Sequence, residues 1–199
     1  MHPNVFEEFN AICRSHEVKG DVLEVGATLD DLTLLNLPAL RSVRRKIGIN
    51  KQITGRGPDF EVLLGDANAL DRFCEGEFDA VLCNAVLEHD PFFWKTVAEM
   101  RRVTRIGGLL VIGAPGFCVL PFEKRPARVL RNLCRLALGA GGDAIAHSTL
   151  TLRVHNYPDD YYRFSPSAFR DVFFEGMADV CIKTVLTPPR LIGCGLRAK

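Results

Sequence analysis

The segment from Glu77 to Pro115 constrains the fold of this chain more than any other. It reads EFDAVLCNAVLEHD, then a helical stretch, then the turn RIGG, then the apolar LLVIGAP. An earlier run, DVLEVG at Asp21–Gly26, is also apolar and breaks at a glycine. Apolar strands that end in polar or glycine-bearing turns, with a helix between the later pair, form the pattern of a parallel sheet covered on both faces. Such sheets place their functional turns at the strand carboxyl ends.

The remaining elements follow from periodicity and punctuation. Pro3, with Val5, Phe6, Phe9, Ile12 and Cys13 at helical spacing, predicts an N-terminal helix within residues 1–17, running to about Ser15. Strands are expected at Asp21–Val25, Lys46–Ile49, Phe60–Leu64, Phe78–Asn84 and Leu109–Gly113. Asp30–Leu40 reads as short helix or irregular chain, Thr54–Pro58 as a loop, and Leu70–Phe73 as a turn of helix. A helix opens at Pro91 and runs to about Thr104, with Gly107-Gly108 as its stop. Ser165-Pro166 starts another that ends near Gly176. Val180–Leu186 and Leu191–Leu196 are the last strands, and the short link through Pro188-Pro189 makes the final one a reversed edge strand. The expected fold is α/β: a Rossmann-like, seven-stranded, mostly parallel sheet with a reversed last strand. Phe117–Phe164 is too long for an ordinary connection and reads as a lid insertion after strand five. The whole, residues 1–199, is expected to form a single domain.

Composition excludes several classes. Hydrophobic residues make up 47% and charged residues 25%, as in globular proteins, and a net charge of +1 provides no field to recruit nucleic acid. MHPNVFEEFN lacks the pattern of a signal peptide, and no stretch of about eighteen apolar residues suggests a membrane span, so a cytoplasmic location is expected. The seven cysteines are scattered and form no CxxC pair, which argues against disulfide and zinc frameworks and for small apolar residues in a reducing compartment.

The order of these residues resembles the class I S-adenosylmethionine (SAM)-dependent methyltransferases, of the broad bacterial type-11 group, over about Val18 to Gly116. The resemblance rests on the acidic residue before Gly26, on Asp66, and on FDAVLCNAVLEH followed by AEMRRVTRIGGLLVIGAP. It implies SAM as cofactor. Glu24, Gly26 and Ala27 would pass beneath its amino-acid part, with Thr28 and Asp30 standing where further glycines are usual. Asn50 would meet the ribose, where the family usually places Asp or Glu. Asp66 would accept the adenine amino group, with Ala67 and Asn68 bordering the ring, and Asn84 and Ala85 would line the cleft beneath the sulfonium. Each has a plainer reading: Gly26 as a close-packed strand exit, Asn50 as a turn residue, Asp66 as a helix cap. Methyl transfer is an in-line displacement that needs alignment more than strong acid or base. His89 is the candidate to take a proton from a hydroxyl acceptor, or else it braces the turn into Pro91.

The insertion carries two further features. Lys124, Arg128, Arg131 and Arg135 recur at helical spacing, as a solvated helix face or as a surface for a phosphorylated substrate or an anionic membrane at residues 124–135. HNYPDDYYRFSP then gathers all three tyrosines of the chain. It resembles an HxxPxDYxRFTP-like segment of bacterial methyltransferases encoded with surface-polysaccharide enzymes, which implies a place near the active site. His155 and Tyr161 become catalytic candidates, and Tyr157, Tyr161 and Arg163 candidates to bind a small-molecule or saccharide acceptor. The plain alternative is a packed loop in which Arg163 pairs with Asp159 or Asp160. No metal is expected, because His147, His155 and Asp159 have no familiar ligand spacing. The reaction implied is methyl transfer to a hydroxyl. The alternative is a methyltransferase-like protein that has lost catalysis and serves as a binding scaffold. A nicotinamide-dependent dehydrogenase is disfavoured by the missing G-x-G-x-x-G.

Overall fold

The structure is a computed structural model that describes residues 1–117, 133, 136, 137, 139, 149–155 and 159–199. Helix α1, Pro3–Ser15, begins at His2, whose ring accepts from the Asn4 amide, and Pro3 occupies the first turn. Strands β1 (Asp21–Val25), β2 (Arg45–Asn50), β4 (Glu61–Leu64), β5 (Phe78–Asn84) and β6 (Thr104–Ala114) run parallel. Their neighbours are β3 (Gly55–Arg56), β7 (Met177–Leu186) and β8 (Pro189–Arg197), and the sheet order is β3-β4-β2-β1-β5-β6-β8-β7.

Two apolar layers cover the two faces, and the strands alternate between them. Leu23, Val25, Val81, Cys83, Leu110 and Ile112 face helix α2 (Phe93–Val103) and the phenylalanines of residues 169–174. Val22, Ala80, Leu82, Leu109 and Val111 face α1 and the leucines of two 3-10 turns, Leu34–Asn36 and Pro38–Leu40. Burial on both sides explains why these strands read as continuous apolar runs.

Several expectations are corrected. The sheet has eight strands rather than seven, because Gly55–Arg56, within the expected loop, pairs antiparallel with β4. The reversed strand β8 is not at the edge; it lies between β6 and β7, antiparallel to both. Glycine permits this, since a Cβ on Gly193 would come within 2.5 Å of the Phe174 ring. Gly107-Gly108 does not stop a helix. α2 ends at Val103, and the pair sits in a bulge of β6 where the register with β5 shifts. Leu70–Phe73 is a single hydrogen-bonded turn rather than a helix. The capped start at Ser165 is present, but the helix is short: Pro166–Ala168 continues as a π-helical turn, Phe169–Phe173.

Between β1 and β2 the chain forms 3-10 turns in place of an α-helix, and a buried carboxylate supports them. Glu24 accepts hydrogen bonds from the Thr33 hydroxyl and from the amides of Leu34 and Leu35. Burial pushes its pKa up to about 7 from the ordinary 4.5, against the opposing pull of those hydrogen bonds. An acid with a raised folded-state pKa holds its proton more tightly when folded. The stability it gives is therefore full below pH 4.5 and is lost as pH rises to about 7, by on the order of 3 kcal/mol. Glu24→Gln should abolish this part of the slope. Urea unfolding at pH 5 and pH 8 should show the stability difference moving about 2–3 kcal/mol in the variant's favour at the higher pH. Parallel pH profiles would contradict the assignment.

Candidate functional site

The carboxyl ends of the parallel strands enclose a cleft of about 370 Å³, within the range of small-molecule sites. Val25, Gly26 and Thr28 contribute from the β1 turn, Ile49 to Ile53 from β2, and Gly65 and Ala67 from the β4 turn. Ala85, Val86, His89 and Asp90 close it from the β5 side. Gly26 fixes the shape. Its φ is +82°, and an added Cβ would come within 2.3 Å of the Val86 side chain. Its amide donates to the Ile49 carbonyl at 2.8 Å, which ties the β1 turn to the end of β2.

The expected cofactor residues divide into two groups. Gly26, Asn50, Ala67 and Ala85 line the cleft. Glu24, Ala27, Asp66, Asn68 and Asn84 do not. Glu24 is buried under the 3-10 turn, and Ala27 is part of the core on that face. Asp66 accepts from the Asn68 amide at 2.9 Å and lies 3.2 Å from Lys51 Nζ. The Asn68 side-chain amide donates to Asp90, while its carbonyl oxygen is buried without a hydrogen-bond donor. The Asn84 side-chain oxygen accepts from Arg190.

Asn50 also has structural bonds. Its amide donates to the Ala27 carbonyl at 2.8 Å, and its side-chain oxygen accepts from the amides of Gln52 and Ile53. It therefore joins the β1 and β2 turns, and an amide is needed because one partner is an acceptor. Thr28, Lys51, Gln52, Ile53 and Asp90 are lining residues that sequence reasoning missed. Their signal was their position within a few residues of each strand end.

On the far side of the cleft, the segment at 159–163 closes onto the turn after β5. The Tyr161 amide donates to the Glu88 carbonyl at 2.8 Å, and His89 Nδ1 bonds the Asp159 carbonyl. A carbonyl only accepts, so Nδ1 carries the proton and Nε2 holds a lone pair. His89 and His155 lie edge to face, with centroids 5.0 Å apart. Glu88, which precedes His89 in the LEH turn, is wholly buried, and neither of its oxygens has a hydrogen-bond partner. Burial raises its pKa.

Tyr161 is half-exposed, and its hydroxyl donates to Asp159. Arg163 does not present its charge to the cleft. It forks onto both oxygens of Asp160 and donates to the carbonyls of Leu152, Arg153 and Tyr162. That hydrogen bonding holds the Asp160 carboxyl well below its usual range. The plain reading of Arg163 as a brace therefore fits its geometry. Tyr157 lies outside the described residues, as do His147 and the basic positions Lys124, Arg128, Arg131 and Arg135.

Residues 35–112 match a protein family described as "Methyltransferase domain". No curated protein matches the sequence. Among solved structures, the Burkholderia thailandensis 1,6-didemethyltoxoflavin-N1-methyltransferase is similar at TM-score 0.63 and 15% identity, over 98% of this chain and 78% of that one. It was solved with its substrate and S-adenosylhomocysteine. A SAM-dependent methyltransferase from Methanosarcina mazei is similar at TM-score 0.57 and 13% identity, over 100% and 98% of the two chains. A Haemonchus contortus phosphoethanolamine N-methyltransferase, bound to phosphomonomethylethanolamine and S-adenosylhomocysteine, is similar at TM-score 0.61 and 10% identity, over 97% of this chain and 53% of that one. Sheet order, cleft and family match together define a class I methyltransferase fold. Residues 35–112 are thus similar to a methyltransferase domain, and the fold is the one shared with these SAM-dependent methyltransferases.

The bonds of Asn50 give a test of the site's construction. Asn50→Asp would set a carboxylate oxygen against the Ala27 carbonyl in place of a 2.8 Å hydrogen bond. We expect a loss of about 1–3 kcal/mol in urea or thermal unfolding, as for other severed buried hydrogen bonds. Unchanged stability would show that this bond does not hold the two turns together.

Proposed function

We propose that the chain transfers a methyl group to a hydroxyl of a small-molecule or saccharide acceptor held between His89, His155 and the 159–163 segment. The observation that carries this reading is the position of His89. It lines the cleft at the strand ends and keeps its Nε2 lone pair because Nδ1 is held by the Asp159 carbonyl.

The cleft suits the cofactor. Gly26 leaves the space that a Cβ would fill, Ile49, Ile53, Ala67 and Val86 offer apolar walls, and Asn50, Lys51 and Gln52 add polar groups to the lining. SAM supplies an electrophilic methyl group when bound. Asn50 gives little to the ribose beyond what its three existing bonds leave, so main chain and Lys51 carry more of that recognition. The acidic role first expected of Asp66 rests on a side chain that is half-exposed and already shared with Lys51 and Asn68.

On the acceptor side, a hydroxyl reaching His89 Nε2 is oriented by its lone pair, which takes up the proton as the oxygen is methylated. Tyr161 adds an exposed ring that suits the flat face of a sugar. His155 packs against His89 and holds its orientation. Arg163 positions the segment by gripping Asp160.

Calorimetry with SAM and S-adenosylhomocysteine, followed by a screen of hydroxyl acceptors for S-adenosylhomocysteine release, tests the proposal. His89→Ala should retain cofactor affinity and lose about 10²–10⁴-fold in transfer, and Tyr161→Ala should raise KM for the acceptor. Absence of cofactor binding in the unaltered protein would favour the scaffold alternative. Retained transfer in His89→Ala would remove His89 from the reaction.

A further inference from the structure

Three residues at the acceptor edge of the cleft converge in a way that the methyltransferase reaction alone does not explain. Glu88, His89 and His155 each offer one ligand atom within 4.8 Å of the other two, and His89 Nε2 stands 3.8 Å from Glu88 Oε1. Glu88 comes from the 3-10 turn after β5, while His155 arrives from the far side of the insertion, so the convergence is made by the fold. The glutamate is the unexpected member. Its side chain is fully buried and neither oxygen has a hydrogen-bond partner. A carboxylate taken out of water is costly; the buried Arg190 and the two imidazoles nearby offset part of that cost by charge attraction, without a hydrogen bond to either oxygen, and a bound cation would offset more.

The histidines are held as metal ligands usually are. His89 Nδ1 is bonded to the Asp159 carbonyl, and His155 Nδ1 lies 3.2 Å from Asp160 Oδ2. Metal-ligating histidines almost always give their other ring nitrogen to a carbonyl or carboxylate, which sets the tautomer and leaves one lone pair aimed at the ion. Here both rings have such a partner on Nδ1, which leaves Nε2 of each. Asp160 is itself fixed by the Arg163 fork, so the outer support is continuous.

We propose that Glu88, His89 and His155 form a binding site for a divalent transition-metal ion, with zinc as the best-matched probe. Two imidazoles and one carboxylate are the ligand set of open zinc sites and of two-histidine, one-carboxylate iron sites, in which further positions remain for an exogenous oxygen. Ligand atoms about 2.0–2.2 Å from zinc stand roughly 3.3 Å apart in a tetrahedron. The present separations therefore close by side-chain adjustment of about an ångström. Because His89 lines the cleft, the open position faces the place where the acceptor is proposed to sit. The inference rests on that reading for its functional meaning. Only the place of the acceptor is carried over: with the ion bound, the Nε2 lone pair of His89 belongs to the metal, so the ion replaces the imidazole's proton-accepting role, holding the acceptor oxygen and making its hydroxyl acidic enough to lose its proton to solvent.

Zinc binding is measured on the full-length protein, stripped with a chelator and titrated with Zn2+ against a chromophoric competitor. Replacing Cys74, Cys118, Cys134 and Cys181 by serine removes competing thiols. One equivalent should bind, and Glu88→Gln and His155→Ala should each weaken it by about 10-fold or more. Binding of Co2+ should give the intense d–d absorption of a four- or five-coordinate site, absent in both variants. No stoichiometric zinc, or equal affinity in both variants, overturns the proposal. Because His155 is half-exposed, His155→Ala decides the matter if Glu88→Gln fails to fold. S-adenosylhomocysteine affinity on the same samples separates the two ideas: cofactor binding without zinc rejects the metal site alone, and zinc without cofactor rejects the methyltransferase reading alone.

Discussion

The contact between Gly26 and Val86 is the constraint on which the cleft depends. β1 and β5 are paired in parallel, so their carboxyl ends leave the sheet side by side and the two following turns compete for one space. A residue with a side chain at position 26 would meet Val86 at 2.3 Å, and its φ of +82° would be strained as well. Glycine resolves both problems. The β1 turn then lies flat on the end of β2 through the amides of Gly26 and Ala27, both of which donate to Ile49. Glu24 works from the opposite face, where its buried carboxylate organises the 3-10 turn. Residues 24 to 26 thus hold one apolar layer, the cleft and the second strand together.

Around that turn, much of the polar chemistry of the site serves to hold backbone rather than ligand. Asn50 links two turns, Asp90 accepts from the Phe92 amide, the Thr96 hydroxyl and Asn68, and Arg163 binds an aspartate and three carbonyls. Each of these bonds contributes about 1 kcal/mol net, but breaking one would leave a buried partner exposed to a larger penalty. Side chains so engaged cannot be reassigned to a substrate without that cost. Among the described residues, the groups left with open valence include the Asn68 carbonyl oxygen, the Nε2 lone pair of His89, the carboxylate of Glu88 and the exposed ring of Tyr161. The last three lie on the same side of the cleft.

The sheet was legible in the sequence because two-sided burial writes itself as apolar runs. β1 and β5 fall where the runs DVLEV and FDAVLCN predicted them. What was not legible depends on partners distant in the chain. The place of β8 between β6 and β7 depends on Gly193 and Gly195 packing against Phe174, a contact that no local pattern encodes. Gly107-Gly108 reads as a helix stop from its neighbours alone, yet it serves a bulge set by pairing with β5. Of the residues that the resemblance singled out, Gly26, Asn50, Ala67, Ala85 and His89 line the cleft. It could not show that Glu24 turns away, that Asp66 is held by Lys51, or that Glu88 is buried beside two imidazoles. An acidic residue in the turn directly after a buried strand was the signal available for Glu88.

The 159–165 segment is a loop by sequence, but its attachment makes it an extension of the core. Phe117 donates to Phe164, and Phe164 to Pro115, so the insertion leaves and returns at one point beside the end of β6. Phe164 then stacks with Tyr162, and both meet Phe93 of α2, while Phe173 packs against Phe93 and Phe164. Aromatic pairs of this kind add about 0.5–1.5 kcal/mol each beyond the area they bury. The Tyr162 hydroxyl donates to the Pro91 carbonyl, which fixes the same segment to the start of α2. Asp159, Asp160 and Tyr161 project from this anchored stretch, and through them the orientation of His89 and the position of Glu88 are set. A site supported in this way keeps its geometry without a ligand. The His89 edge of the cleft is therefore tied to the core as firmly as the strand-end edge, and any ligand has to fit both.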